Sequence, residues 1–425
     1  MSKTTNKNFH WRADGENLPP IEPHSQAKHK VLEDYIKNWI ATLCGNNIGN
    51  SKTVTLIDGF CGGGMYRDPE NGDAPWVGSP IRMIHSVKQG LDFVKHEKRK
   101  LTYELRAKYI FIDERSEYLD CLKLQMSHSG LSEYVNNPDK CEFICGKFEN
   151  TIHGVLKDVK ERGGSSFFFL DPLGYTDVSM ERLREIVALG TSEILYTFMI
   201  DFIRRFLSQR DGSLQNALGK VLEAEGYYAS PLSEDMDTQS NQEYLRNETM
   251  RLFRDRGGAR YVYSFALLHN ASLVKYYLIH LASSSTAQKV MKNSLWELNN
   301  MNIMYQFRYE VYGLGFRTPD YYECNGSIFN FQESNTQAAI QNLDTELMPT
   351  IHNAEDGIEL GSLHNQTMQT NPATWEHYIR YVNEQRSNKE IQVLRDGKIT
   401  TAKNLKPGDV ITKSQQPKLF DLRRF

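Results

Sequence analysis

The chain has 425 residues, above the size at which one hydrophobic core usually stops growing, so two domains are expected. Hydrophobic residues make up 40% and charged residues 24%, an ordinary globular composition that excludes a largely disordered chain. The formal net charge of −3 excludes a global basic field, so a nucleic-acid partner would need a local patch. Residues 1–17 are mostly polar with no apolar h-region, and no stretch approaches the roughly 18 apolar residues of a membrane helix. A soluble, cytoplasmic protein without membrane contact is expected. Of the six cysteines, Cys141 and Cys145 alone lie close together, and they lack the further ligands that zinc requires. No metal site is expected.

In chain order, Val31, Leu32, Tyr35, Ile36, Trp39, Ile40 and Leu43 recur at helical spacing, with Gly45 as a stop. Residues 53–57 read as a strand that ends at Asp58 and a glycine-rich turn. Gly78-Ser79-Pro80 opens the next helix, with Ser79 as cap and Pro80 at the first helical position. Residues 108–112 form a second strand, about 116–125 a helix, and 143–145 a short third strand. The apolar run 167–170 is a central parallel strand buried on both faces, ending at Asp171. Ser179 then caps a helix with Met180, Leu183, Ile186 and Val187 inward, and residues 193–200 are another strand. Residues 261–268 and 273–281 read as a hairpin across His269 to Ser272. A helix with Val290, Met291, Leu295 and Trp296 follows.

Alternating strands and helices that end in a hairpin describe an α/β fold: an open, mostly parallel, Rossmann-like sheet with one antiparallel strand near its edge. That is the seven-stranded topology of class I methyltransferases. The predicted division is an N-terminal extension over 1–23, this domain over 24–298, a linker or insertion over 299–339, and a C-terminal module over 340–425.

Asp58-Gly59-Phe60-Cys61-Gly62-Gly63-Gly64 stands where ligands bind in such sheets, at the carboxyl end of the first strand. Asp58, Phe60, Gly62 and Gly64 match the pattern D-x-F-x-G-x-G of S-adenosylmethionine sites. The acid can hold the methionine ammonium, and the glycines, Gly59 among them, let the backbone approach the cofactor without a Cβ in the way. The competing dinucleotide fingerprint would need glycine at Arg67. A plain glycine-rich turn between strand and helix is the other reading. Asp113, ending the second strand, can accept both ribose hydroxyls or can cap the next helix; Glu114 takes its place if the strand runs one residue longer.

Asp171-Pro172-Leu173-Gly174-Tyr175 closes the fourth strand. Amino-methyltransferases carry D/N-P-P-Y/F there, where the acid and a backbone carbonyl accept from the target amine and the aromatic stacks on the base. Catalysis then comes mainly from positioning. Leu173 replaces the second proline, and Tyr175 comes one residue late, so a structural turn is the competing reading. Lys147 stands where an aspartate often contacts the adenine amino group and cannot accept that bond, so either Glu149 or the backbone makes the contact or cofactor binding is altered.

Taken in order, several motifs resemble the three-Cys-motif partner protein family of bacteria and phages. They are His24-Ser25-Gln26-Ala27-Lys28-His29, Asp58 to Gly64, Gly78-Ser79-Pro80 and Asp171-Pro172-Leu173-Gly174. Phe198-Met199-Ile200-Asp201 with Arg204-Arg205-Phe206, Tyr276-Tyr277-Leu278 and Met291 to Trp296 continue the set, which spans about residues 20–298. The resemblance implies a methyltransferase-like fold, often a C-terminal winged-helix domain, and pairing with a radical-SAM-like protein that bears a three-cysteine motif. Lys28 and His29 lie on a helix that could pack over the cofactor site, with a surface or core residue as the competing reading of His29.

The C-terminal segment agrees with a small winged-helix module: a helix over 375–385 and short strands over 390–394, 398–401 and 410–413. From Lys389 to Phe425 there are nine Lys or Arg against four Asp or Glu, an excess of five that could track the phosphates of DNA or RNA, or serve a protein-docking surface. Two functions stay open: an S-adenosylmethionine-dependent methyltransferase acting on an amino group of a nucleobase or nucleic acid, and a non-catalytic partner that recruits nucleic acid or the three-cysteine protein.

Overall fold

The computed structural model describes residues 10–174, 177–200, 203, 219–228, 238–268, 274–301, 314–317 and 331–414. The described residues cluster into two units, one running to Asn299 with residues 314–317 added, the other built from 331–414 with Asn300 and Met301.

The first unit is mixed α/β. Its strands are β1 (Ser51–Asp58), the hairpin β2 (Met65–Asp68) and β3 (Ala74–Val77), β4 (Glu104–Asp113), β5 (Cys141–Cys145), β6 (Ser165–Leu170), β7 (Ser192–Phe198), β8 (Tyr261–Leu268), β9 (Val274–Ala282) and β10 (Leu314–Arg317). Apart from the hairpin they form one eight-stranded sheet in the order β5-β4-β1-β6-β7-β9-β8-β10. All neighbours pair parallel except β9, which runs antiparallel to β7 and β8. The expected parallel sheet with its antiparallel strand is present. The eighth strand was not foreseen: β10 falls in the stretch read as a linker, where four residues are too few to carry a period.

The helices are α1 (Pro23–Gly45), α2 (Ser79–His96), α3 (Ser116–His128), α4 (Ser132–Val135), α5 (Phe148–Arg162), α6 (Met180–Val187), α7 (Thr238–Arg256) and α8 (Ser285–Leu298). Phe167, Phe168, Phe169 and Leu170 of β6 are fully buried, as a central strand covered on both faces requires. Tyr35 and Trp39 of α1 lie 5.4 and 6.0 Å from the Phe167 ring. A polar clamp fixes the same helix to the sheet. Trp39 Nε1 donates to Glu193 Oε1 at 2.8 Å, the Tyr35 hydroxyl donates to Oε2, and His280 Nε2 lies 3.3 Å from Oε2. Two side chains of α1 thus hold one half-buried carboxylate of β7, and the helix so seated carries Lys28 and His29 inward.

Ser79 does not cap α2. Gly78 is the N-cap, and Ser79 is the first residue of the helix. A Cβ at Gly78 would stand 3.0 Å from the Gly64 backbone, so the cap position is closed to serine by the turn packed against it.

The second unit runs α9 (Gln332–Asn353), β11 (Ile358–Glu359), α10 (Leu360–Thr367), α11 (Trp375–Ser387), β12 (Ile391–Arg395), β13 (Lys398–Ile399) and β14 (Val410–Lys413), with an antiparallel sheet ordered β11-β14-β12-β13. Arg395 grips the buried Asp409 with two bonds of 2.7 Å, which pins β12 to the turn before β14. No helix among the described residues is long and apolar enough to cross a membrane.

Candidate functional site

Three acids converge at the carboxyl edge of the sheet because they end neighbouring parallel strands: Asp58 on β1, Asp113 on β4 and Asp171 just after β6. Asp58 is fully buried. Its Oδ1 accepts from the Phe60 N–H at 3.2 Å, while Oδ2 is buried with no hydrogen-bond partner among the described residues. Burial pushes this carboxyl up to about 7, Asp171 and Asp113 add to the rise, and the Ser79 hydroxyl and Phe60 N–H oppose it.

The turn after Asp58 departs from the cofactor expectation in one respect. Gly62 and Gly64 have φ of 58° and 77°, so the backbone itself demands glycine there. The Cβ positions are not open space. At Gly59 a Cβ would meet Leu170 at 2.7 Å, at Gly64 it would meet Leu122 at 2.5 Å, and at Gly62 and Gly63 the Trp11 ring at 2.9 and 2.2 Å. On their Cβ sides these glycines are flanked by protein side chains. Phe60 is half-buried and packs on Phe148 at 5.6 Å.

Trp11 was not foreseen, because it lies in a polar segment read as an extension. Its indole N–H donates to the Met65 carbonyl at 2.6 Å, and its ring meets Tyr66 and Tyr118 edge-on at 5.0 and 4.9 Å. Backbone bonds from Ile21 to Arg67 and from Arg67 to Pro19 tie the same segment to β2. Beside it lies an open cavity of about 550 Å³ lined by residues 10–14 with Arg115, Glu117 and Tyr118.

Asp113 Oδ2 accepts from the Gly62 N–H and Oδ1 from the Arg115 N–H, both at 3.0 Å. Arg115 is the N-cap of α3, so the acid organises the entry to that helix and also the glycine turn. Burial raises its carboxyl, and the two N–H bonds oppose the rise. Glu114 is exposed. Lys147 is exposed at the N-cap of α5. Glu149, the residue considered for the adenine contact, turns to α6 instead: Oε1 accepts from the Ser179 N–H at 2.5 Å and Oε2 from Arg182 Nε at 3.2 Å. A carboxylate at a helix N-terminus is stabilised there.

Around Asp171 the tertiary structure adds most. Lys28 Nζ donates to Oδ1 at 2.7 Å and to Oδ2 at 2.6 Å, and Lys28 is 5% exposed. Burial alone would raise the carboxyl, but the Lys28 ammonium outweighs it and holds Asp171 below the usual carboxylate range. Trp76 Nε1 donates to His29 Nδ1 at 3.0 Å, and burial pushes that imidazole down to about 3, so it is neutral. The His29 and Tyr66 rings are 5.7 Å apart. Pro172 is buried, whereas Leu173 is 88% exposed at the rim, and the Gly174 N–H is held by Asp177 Oδ2 at 2.8 Å. Tyr175 lies outside the described residues.

No family model matches the chain, and no curated protein matches it. Among solved structures, the crystal structure of protein LPL1258 from Legionella pneumophila, of family DUF519, is 11% identical, covers 46% of this chain and 74% of that one, and has a TM-score of 0.26. A likeness at that score carries no argument about this chain.

Proposed function

We propose that the first unit is a class I, S-adenosylmethionine-binding domain and that the protein transfers a methyl group to an amino group of a nucleobase or nucleic acid. The observation that carries this reading is Asp58 Oδ2, a buried carboxyl oxygen at the carboxyl edge of the central strand that has no hydrogen-bond partner in bonding geometry among the described residues, with the Ser79 hydroxyl close to the same carboxyl. An orphaned buried acceptor costs free energy unless a ligand satisfies it. A cationic ammonium fits it in sign and in hydrogen bonding. The strand order supports the same reading, since β5-β4-β1-β6-β7-β9-β8 with an antiparallel β9 is the order of class I methyltransferase sheets.

In this reading Asp58 holds the methionine ammonium, and Asp113 offers its remaining lone pairs to the ribose hydroxyls. The cofactor, when bound, supplies an electrophilic methyl on a sulfonium. Asp171 accepts an N–H of the acceptor amine and orients its lone pair; Lys28 keeps the acid ionised for that task. Pro172 stiffens the turn, and Tyr175 supplies a ring for the base. Calorimetry with S-adenosylhomocysteine tests the reading: micromolar binding by the full chain that drops at least tenfold in Asp58→Ala supports it, and no binding by the wild type removes it.

A specific observation favours a second reading. Both oxygens of Asp171 are already paired with Lys28, so the site is electrostatically satisfied without a substrate. A cofactor-binding partner that recruits nucleic acid or a radical-SAM-like three-Cys-motif protein would keep cofactor binding and show no transfer. The C-terminal unit suits such recruitment. Its helix-strand-helix-helix-strand-strand-strand order supports a winged-helix reading, and Lys389, Lys398, Lys403, Lys406 and Lys413 are exposed on it. The outer face of α11 is mixed rather than basic, with Arg380 paired to Glu384 at 3.1 Å, so phosphate contacts would fall to the lysines of the wing.

A further inference from the structure

We infer that Lys28 is a specificity-determining residue of the acceptor site: with Asp171 it selects a neutral amine flanked by a hydrogen-bond acceptor, the amidine-type edge of a nucleobase, and turns away protonated aliphatic amines. The inference rests on the methyl-transfer reading and names the substrate edge for the same site.

The argument starts from valence. An ammonium has three N–H donors, and Lys28 directs bonds to both oxygens of Asp171, at 2.7 and 2.6 Å. One donor remains. Each carboxylate oxygen has about two acceptor positions, so even with the Thr197 hydroxyl also acting on Asp171 the pair retains acceptor capacity. Side by side, a spare N–H donor and a spare carboxylate lone pair complement an edge that presents an acceptor beside an N–H. An exocyclic amine next to a ring nitrogen is such an edge; an aliphatic amine is not.

Charge points the same way. Lys28 is buried, and an ammonium away from water strongly disfavours a second cation nearby. A protonated lysine-like amine reaching Asp171 would come within a few ångströms of Nζ. Among the described residues little offsets that repulsion: His29 is neutral, Glu22 already accepts His24 at 2.8 Å and faces Lys275 at 3.7 Å, and burial keeps Asp58 only partly ionised near neutral pH. A nucleobase amine is uncharged and meets no such barrier. The Tyr276 ring lies 5.4 Å from Lys28 Nζ, His29 and Tyr66 are within electrostatic reach of Asp171, and Leu173 is exposed two residues further on, so aromatic and apolar groups surround the pair.

The test uses the full-length chain with labelled methyl donor, one acceptor being a DNA oligonucleotide containing adenine and cytosine and the other poly-L-lysine. Wild type is expected to label the oligonucleotide at least 100-fold faster than poly-L-lysine. Lys28→Gln keeps a donor without the charge. It is expected to lose at least tenfold on the oligonucleotide and to narrow the preference tenfold or more, with S-adenosylhomocysteine affinity within twofold of wild type. Lys28→Arg, which keeps the charge and guards against a folding defect, is expected to retain the preference. Comparable labelling of poly-L-lysine by wild type, or an unchanged preference in Lys28→Gln, overturns the inference. If wild type binds S-adenosylhomocysteine yet labels neither acceptor, the role of Lys28 falls and the cofactor site stands. No binding at all removes the underlying reading instead.

Discussion

The Gly62 N–H donates to Asp113 Oδ2 at 3.0 Å, so the acid that ends β4 also holds the turn that follows β1. Its other oxygen holds the Arg115 N–H at the start of α3. One side chain thus ties three segments together before any ligand arrives. Asp113→Asn is expected to cost stability in the cofactor-free protein, because an amide has one acceptor oxygen for two N–H groups and turns its own NH₂ toward one of them. An unsatisfied buried donor costs about 1–3 kcal/mol. The denaturation midpoint should fall with an unchanged slope. Stability equal to wild type would mean that Asp113 serves only a ligand.

The Asp58 carboxyl gives a pH signature. Burial raises it to about 7, so between roughly pH 4 and pH 7 the unfolded chain loses this proton while the folded chain keeps it. Its contribution therefore lowers stability as pH rises through that window, by up to about 1.4 kcal/mol per unit, and levels off above it. Asp58→Asn removes the contribution, so its stability relative to wild type should climb from pH 4 to pH 7 and then stay flat. Binding of an ammonium ligand needs the ionised acid. Affinity for S-adenosylhomocysteine should rise toward pH 7 in wild type and not in the variant; a pH-independent difference between the two proteins would refute the assignment.

The Lys28–Asp171 pair predicts a double-mutant cycle. Lys28→Met leaves a largely buried carboxylate alone and should cost about 3–5 kcal/mol, whereas Lys28→Met with Asp171→Leu should recover most of that loss. The pair's own contribution is present at neutral pH. It fades in acid as Asp171, held low by Lys28, finally takes up a proton. Additive costs in the double variant would show that the two residues do not interact.

For the C-terminal unit, binding to DNA or RNA should weaken as salt rises, because phosphate contacts release counterions. Lys398→Glu with Lys403→Glu should lower affinity at least tenfold at moderate salt while leaving S-adenosylhomocysteine binding intact. Salt-independent binding, or none, would leave protein docking as the role of this unit.

What the sequence determined by itself is local. The apolar runs of β1, β4, β6 and β7, the helices α3 and α6 and the antiparallel β8–β9 pair follow from local pattern, and α2 from its capping residues, because burial of one face or two leaves its mark on neighbouring residues; α4 and α5 were not read from the sequence. The acids that end three of those strands were legible for the same reason, since a polar residue closing an apolar run stands at the sheet's edge. Tertiary structure decided what those acids touch. Lys28 and Asp171 are 143 positions apart, and no local pattern pairs them; the seating of α1 through Glu193 brings them together. Trp11 against Gly62 and Gly63, Glu149 turned to α6, and Gly78 taking the cap from Ser79 are likewise settled by packing between distant segments. Hydrogen bonds and steric contacts act over a few ångströms in space, and separation along the chain carries almost no information about them.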